Sequence, residues 1–275
     1  MTVDAAPARP GPHRALARAA VERIAGADRR ADDDRLAVEA PVAFLYNCAS
    51  HAVMMATPGD LEDFAYGFTI SEGIVADASE IAAVRATPKG VGYSLGIDIP
   101  GERAAALSGR ARNMEGRTGC GLCGVAEIEQ ALRPLPVATV NATIRAQAVA
   151  RALDALPAAQ ALNRETGAVH AAAFADREGR LLVVREDVGR HNALDKTIGA
   201  AARRGLDPAG GFVVVTSRCS MEMVQKTATF GCPVLVAISA PTSLAVELAE
   251  DAGLTVAAFA RGERLNLYAR PERIV

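Results

Sequence analysis

Phe212-Val-Val-Val-Thr216, Val234-Leu-Val-Ala-Ile-Ser239 and Thr255-Val-Ala-Ala-Phe-Ala260 are three unbroken aliphatic runs, separated by Met221–Phe230 and Thr242–Ala252, which read as helices. A strand that is apolar at every position is buried on both faces, and strands joined through helices pair in parallel. The succession therefore sets an α/β fold with a largely parallel sheet covered on both sides. Working outward, Leu181–Val184 adds a further strand, Asn192–Arg203 a further helix, and His170–Ala175 an antiparallel hairpin strand ahead of Leu181. Several strands run into polar clusters: Arg185-Glu186-Asp187, Ser217-Arg218 and Ser239. Ligands of open α/β sheets bind beyond the carboxyl ends of the strands, so these clusters mark the expected functional rim.

Toward the N-terminus the character is α+β. Val42–Tyr46 and His51–Ala56 suit paired strands, and Gly90–Ile99 alternates as another. Thr57-Pro58-Gly59-Asp60 predicts a helix start, with Thr57 as cap, Pro58 in the first helical position and Asp60 against the positive dipole end. Leu61, Phe64, Ala65 and Phe68 share one face of that helix, and Gly73 ends it. Glycines crowd the stretch from Gly101 to Pro136, where Val125–Leu132 looks helical. The expected organisation is a disordered lead-in at 1–20, a smaller α+β domain at 21–108, a Gly-rich linker at 109–136 and an α/β domain at 137–275.

The chain has 275 residues, 50% hydrophobic and 23% charged, with a net charge of -2, a globular composition without a polyanion-binding field. Nucleic acid is not an expected partner. No run of eighteen apolar residues is present and the N-terminus lacks the apolar core of a signal peptide, so the expectation is a cytoplasmic protein with no membrane span. Five cysteines argue against a disulfide framework and for cysteines that are buried, metal-bound or reactive.

Two of the five form Thr118-Gly-Cys120-Gly-Leu-Cys123-Gly124. A Cys-x-x-Cys pair permits half of a zinc site, dithiol exchange, or a sulfur relay in which one thiolate carries a persulfide. Structural zinc needs four ligands, and Cys48, Cys219 and Cys232 form no second pair, so no metal is expected. Zinc deaminase chemistry is also improbable, because His170 is followed by Ala171 and Ala172 rather than by the required glutamate. A thioredoxin-type motif carries few glycines, whereas this one is surrounded by them. The helix expected from Val125 and the neighbouring Arg117 would favour a thiolate. Cys48, Cys219 and Cys232 read as small core residues, with Cys219 close enough to the rim to be a second thiol there.

Arg185–Lys196 packs seven ionisable side chains into twelve residues, starting at a strand end and continuing into a helix. Gly189 with Arg190, His191 and Asn192 at the helix start suits a phosphate-bearing or polar ligand, although a single histidine is more often structural. Arg261 and Arg264 follow the last strand and supply fork-shaped donors to phosphate. With Arg270 and Arg273 they form a cationic concentration near the C-terminus.

Thr118–Gly124, Glu186–Lys196, Ser217–Lys226, Ser239–Ala249 and Phe259–Arg264 together resemble the formate dehydrogenase accessory sulfurtransferase family (FdhD type). Gly59–Gly73 resembles that family's N-terminal helix, and the likeness covers about residues 36 to 275. The resemblance implies a sulfurtransferase that accepts sulfur from a cysteine desulfurase as a cysteine persulfide. The sulfur then passes to the bis(molybdopterin guanine dinucleotide) molybdenum cofactor (bis-MGD) before it enters formate dehydrogenase. Carried over by motif, Cys120 holds the persulfide and Cys123 assists. Phe259, Ala260, Arg261, Gly262, Glu263 and Arg264 contact the cofactor, with Arg190, His191, Ser217 and Arg218 completing the rim. The resemblance also implies a homodimer and a C-terminal domain resembling the cytidine deaminase fold without zinc. The alternatives are a cofactor-binding chaperone without sulfur chemistry and a thiol–disulfide oxidoreductase.

Overall fold

A computed structural model describes residues 15–111, 134–138 and 143–275. The N-terminal half contains β1 (Leu16–Ala25), β2 (Asp28–Ala37), β3 (Ala40–Tyr46), β4 (Ala49–Ala56), α1 (Leu61–Ser71), β5 (Ala83–Lys89), β6 (Gly92–Asp98) and α2 (Gly101–Ala111). The C-terminal half contains α3 (Ala146–Ala159), α4 (Ala161–Thr166), β7 (His170–Asp176), β8 (Leu181–Asp187), α5 (Arg190–Arg203) and β9 (Gly211–Val215). It continues through α6 (Met221–Phe230), β10 (Val234–Ala237), α7 (Ser243–Asp251), β11 (Thr255–Arg261) and β12 (Arg264–Ala269). The strands form a β1–β2 ribbon, a four-stranded sheet in the order β4-β3-β6-β5, and a six-stranded sheet in the order β12-β11-β10-β9-β7-β8.

The aliphatic runs do what their composition requires. Along β9, Phe212 and Val214 face the helix α3, where Val149, Leu153 and Leu156 cover them, and Val213 and Val215 join the core on the opposite side. The large sheet is therefore covered on both faces, as expected. It is mixed rather than largely parallel: β9, β10 and β11 run parallel, whereas β7 pairs antiparallel with β8 and β9, and β12 antiparallel with β11. Hairpin connections at both ends cause this, because a short turn can join only antiparallel strands. Two hairpins read from sequence are present, β3–β4 and β7–β8.

The helix after β4 forms where expected, but its start differs. Asp60 precedes it with φ 53, no side chain caps it, and Pro58 lies outside it. Thr57 lies three residues ahead of the N-cap position, and its hydroxyl instead accepts the Val188 N–H at 3.2 Å. Leu16–Ala20, read as lead-in, are the first half of β1, and β2 follows a turn at Gly26, whose φ is 63. Gly101–Ala111, placed across the domain boundary and linker, are α2.

The two halves share one core. Phe44, Phe64, Phe68 and Leu95 belong to the same buried cluster as Leu194, Ile198, Met223 and Val224. At its centre α1 and α5 cross at backbone contact. A Cβ on Gly67 would stand 1.6 Å from the Asp195 carbonyl oxygen, and one on Gly199 would stand 1.9 Å from that of Asp63. Charged groups close the crossing: Asp63 receives Arg185 at 2.7 Å and Arg203 at 2.5 Å. Among the described residues, no helix is long and apolar enough to cross a membrane.

Candidate functional site

β8, β9, β10 and β11 all end at the same edge of the large sheet, where α5, α6 and α7 begin. From β11 to β8 is four strand spacings, or roughly 19 Å. The loops along this rim are tied to one another: the Cys219 N–H donates to the Ala240 carbonyl at 3.1 Å and Thr242 N–H to the Cys219 carbonyl at 3.0 Å. Phe259 N–H donates to the Ser239 carbonyl at 3.1 Å, which fixes β11 against the end of β10.

Among the described residues, Arg190 Nε and Ser220 Oγ on this rim are buried without a partner. Arg190 opens α5 and Ser220 immediately precedes α6. Ser220 has the extended backbone of a capping residue, φ -94 and ψ 169, yet its hydroxyl caps nothing. No side chain caps α5 either, whereas the Thr242 hydroxyl of α7 accepts the Ala245 N–H at 3.3 Å. Two helix ends thus present a positive dipole, a guanidinium Nε–H and a hydroxyl that find no acceptor among the described residues, the donor set that an anionic, acceptor-rich ligand would satisfy. His170 lies beside them, opposite Asp187 in register. Burial, and then the Arg190 charge, hold its pKa below the ordinary 6.5.

The structure sorts the residues expected from sequence. Arg190, His191 and Ser217 lie on the rim, with His191 and Ser217 buried and the Ser217 hydroxyl donating to the Arg218 carbonyl at 3.0 Å. Arg218 follows it and is exposed. Phe259 is 47% exposed with φ 51, a left-handed conformation strained for an aromatic residue. Arg261, Gly262, Glu263 and Arg264 form the exposed turn into β12, with Gly262 at φ 53. Ala260 is 1% exposed and packs in the core with residues of α3, because the irregularity of β11 at Phe259 breaks the alternation and turns it inward. Arg273 also leaves the expected cationic patch. It is buried, donates to Thr255 and to the Ala138 carbonyl at 3.3 Å, and has its pKa lowered by that burial.

Cys120 and Cys123, with the whole of Thr118–Gly124 and Val125–Leu132, lie outside the described residues. Of the other cysteines, Cys219 is fully buried and burial pushes its thiol up to about 12, so it is no thiolate at the rim. Cys232 is buried likewise, at about 12. Cys48 is exposed rather than in the core, in the β3–β4 turn with φ 68. Among the described residues no group of three or more His, Cys, Asp and Glu side chains is placed to bind a metal.

Sequence reasoning missed the polar interior behind the rim. Asp187 and Lys196 form a fully buried ion pair at 2.6 Å. Lys226 meets Asp195 at 2.8 Å and Glu72 at 2.9 Å. Burial alone would lower the Lys226 pKa, but the two carboxylates more than reverse this and raise it. The Asp187 and Lys226 sites each bring together residues more than a hundred positions apart, so local spacing gave no signal.

This is a mixed α/β fold with helix ends and unpartnered donors gathered at one sheet edge. Residues 37–275 match the model of the FdhD/NarQ family, and the chain belongs to that family. It is 54% identical over 254 residues, 92% of this chain and 90% of the relative, to a sulfur carrier protein FdhD of Xanthomonas euvesicatoria pv. vesicatoria. Another sulfur carrier protein FdhD, from Agrobacterium fabrum, is 52% identical over 238 residues, 86% of this chain and 88% of the relative. A crystal structure from Desulfotalea psychrophila, of a protein assigned there as a formate dehydrogenase accessory protein, superposes with a TM-score of 0.75 at 26% identity. It covers 95% of this chain and 100% of that one.

Proposed function

We propose that this chain is a sulfur carrier that serves formate dehydrogenase. It takes sulfur from a cysteine desulfurase onto Cys120 and delivers it to bis-MGD bound along the rim. The observation that carries the reading is a glycine-flanked Cys120/Cys123 pair in a chain 54% identical over 92% of its length to a sulfur carrier protein. The free donors Arg190 Nε and Ser220 Oγ support a ligand rich in phosphate oxygens.

Loading and release balance with the two cysteines, and a thiol reductant closes the cycle. The Cys120 thiolate attacks the terminal sulfur of the desulfurase persulfide; a new S–S bond forms on Cys120 and the desulfurase thiolate leaves. Cys123 then attacks the inner sulfur of the Cys120 persulfide. The Cys120–Cys123 disulfide forms, and the outer sulfur departs as hydrosulfide with two electrons supplied by the dithiol. A thiol reductant resets the pair. At the rim, Arg190 and the turn Arg261–Arg264 bind and orient the anionic groups. The further expectations, a cytoplasmic homodimer with a deaminase-like C-terminal domain, belong to the same reading.

The test is intact-mass analysis after incubation with a cysteine desulfurase and cysteine. Added sulfur, removable by reductant and absent in Cys120→Ala, is the expected result. No adduct on the unsubstituted chain would sink the proposal. Retention of formate dehydrogenase activation by both Cys120→Ala and Cys123→Ala would favour the chaperone, and disulfide exchange with thioredoxin but no sulfur adduct would favour the oxidoreductase.

A further inference from the structure

The turn between β8 and α5, Val188–Gly189, brings Arg190 to the rim, and one carboxylate organises it. Asp187 is fully buried. Its Oδ2 accepts Lys196 Nζ at 2.6 Å and the Thr57 N–H at 3.0 Å. Its Oδ1 accepts the Gly189 N–H at 2.8 Å and Asn192 Nδ2 at 2.9 Å. An ionised carboxylate offers about four acceptor sites, so Asp187 is saturated. Lys196, also fully buried, gives a second bond to the Thr57 carbonyl at 2.8 Å, and Asn192 Nδ2 gives one to the Met55 carbonyl at 2.8 Å. The turn is thus fastened to the end of β4, in the other half of the chain.

A buried ion pair is weak evidence for stability, since apolar residues of the same volume often do as well. The pair has a second consequence. Arg190 stands three residues from Asp187, and His170 feels the charge of both. A guanidinium with a buried, unpartnered Nε, three residues along the chain from a carboxylate, would ordinarily pair with it where an acceptor site is open. Here Lys196 and three N–H donors already occupy every acceptor site, and Arg190 Nε is left without one.

We propose that Asp187 and Lys196 are a positioning pair: by saturating Asp187, Lys196 keeps the Arg190 guanidinium available to an anionic group of the ligand on the rim. This rests on the reading that the rim takes a guanine-nucleotide-bearing cofactor. Neither residue touches that ligand.

The test uses the full chain, with guanosine diphosphate as probe in calorimetric titration. The second readout, taken without ligand, is the Arg190 Nε–H proton resonance, assigned by its loss in Arg190→Lys. In Lys196→Met, Asp187 loses its cation and captures Arg190. The Nε–H signal moves downfield, and affinity for the nucleotide falls about tenfold or more. In Asp187→Asn with Lys196→Met no anion remains to capture Arg190. The signal returns toward its original position, and affinity recovers to within about threefold. A merely structural role predicts instead that the double variant binds no better than the single one, and that result overturns the proposal. An unmoved Nε–H signal in folded Lys196→Met overturns it whatever the affinity does. If the signal moves but the unsubstituted chain fails to bind the nucleotide, the hold on Arg190 stands and the nucleotide reading of the rim falls.

Discussion

Behind the rim, the Asp187 carboxylate accepts four hydrogen bonds with no exposure to solvent; on the rim itself, Arg190 Nε and Ser220 Oγ are buried and accept or donate none. Asp187 stands just before α5, the two donors stand at the starts of α5 and α6, and both regions are made of polar side chains against an aliphatic core. The first is complete in itself and joins the two halves of the chain. The second is incomplete, and an incomplete set of buried donors costs free energy until something supplies the acceptors. Saturation marks the part that holds the fold, and deficit marks the part that meets a ligand.

The largest effect is expected in the saturated region. Asp187→Asn leaves Lys196 buried without its counter-charge and should cost about 3–5 kcal/mol in denaturant unfolding; adding Lys196→Met should recover most of it. A small change in the single variant would mean that Asp187 is not the hub described. Next comes the α1–α5 crossing, which fixes the halves against each other. Gly67→Ala or Gly199→Ala forces a Cβ into backbone and should cost about 3 kcal/mol.

Two helix starts sharpen the contrast further. Thr242→Ala removes a working cap and should cost about 1 kcal/mol, whereas Ser220→Ala, at the equivalent place on α6, should change stability by less than about 0.5 kcal/mol. Equal losses would show that the Ser220 hydroxyl is structural after all. The smallest effect is a pH dependence. Burial and Arg190 depress the folded-state pKa of His170, so below about pH 6.5 the unfolded chain binds the extra proton and the folded state loses stability as pH falls. His170→Asn should flatten that slope. In a histidine NMR titration, a bound nucleotide phosphate beside Arg190 should raise the His170 pKa toward its ordinary value.

Much of the fold was legible because aliphatic runs declare themselves. Phe212–Val215 and Val234–Ala237 are apolar at every position and are buried at every position. The β1–β2 ribbon was not legible, since Asp32-Asp33-Asp34 and the arginines of β2 carry no apolar face. It forms through hairpin pairing and exposed ion pairs such as Arg23–Asp32 at 2.7 Å. β5 is similarly an exposed edge strand that contains Pro88, where the hydrophobic pattern is weakest. At the site, the rim followed from strand ends running into polar clusters, and Arg190 with it. The saturating partners of Asp187 did not, because Thr57 reaches it across 130 positions of sequence. Nor could spacing show that Ala260 faces inward while Phe259 beside it faces out, since a register irregularity in β11 decides that.

The central claim is that sulfur travels through Cys120 to the cofactor of formate dehydrogenase, and radiolabel follows it directly. The chain would be loaded by a cysteine desulfurase with cysteine carrying labelled sulfur, separated from the donor, and mixed with formate dehydrogenase and its molybdenum cofactor under reducing conditions. The account predicts that label leaves the unsubstituted chain, reaches the cofactor of the activated enzyme, and never loads on Cys120→Ala. Activation of formate dehydrogenase by Cys120→Ala, or label that stays on the carrier while the enzyme becomes active, would contradict it.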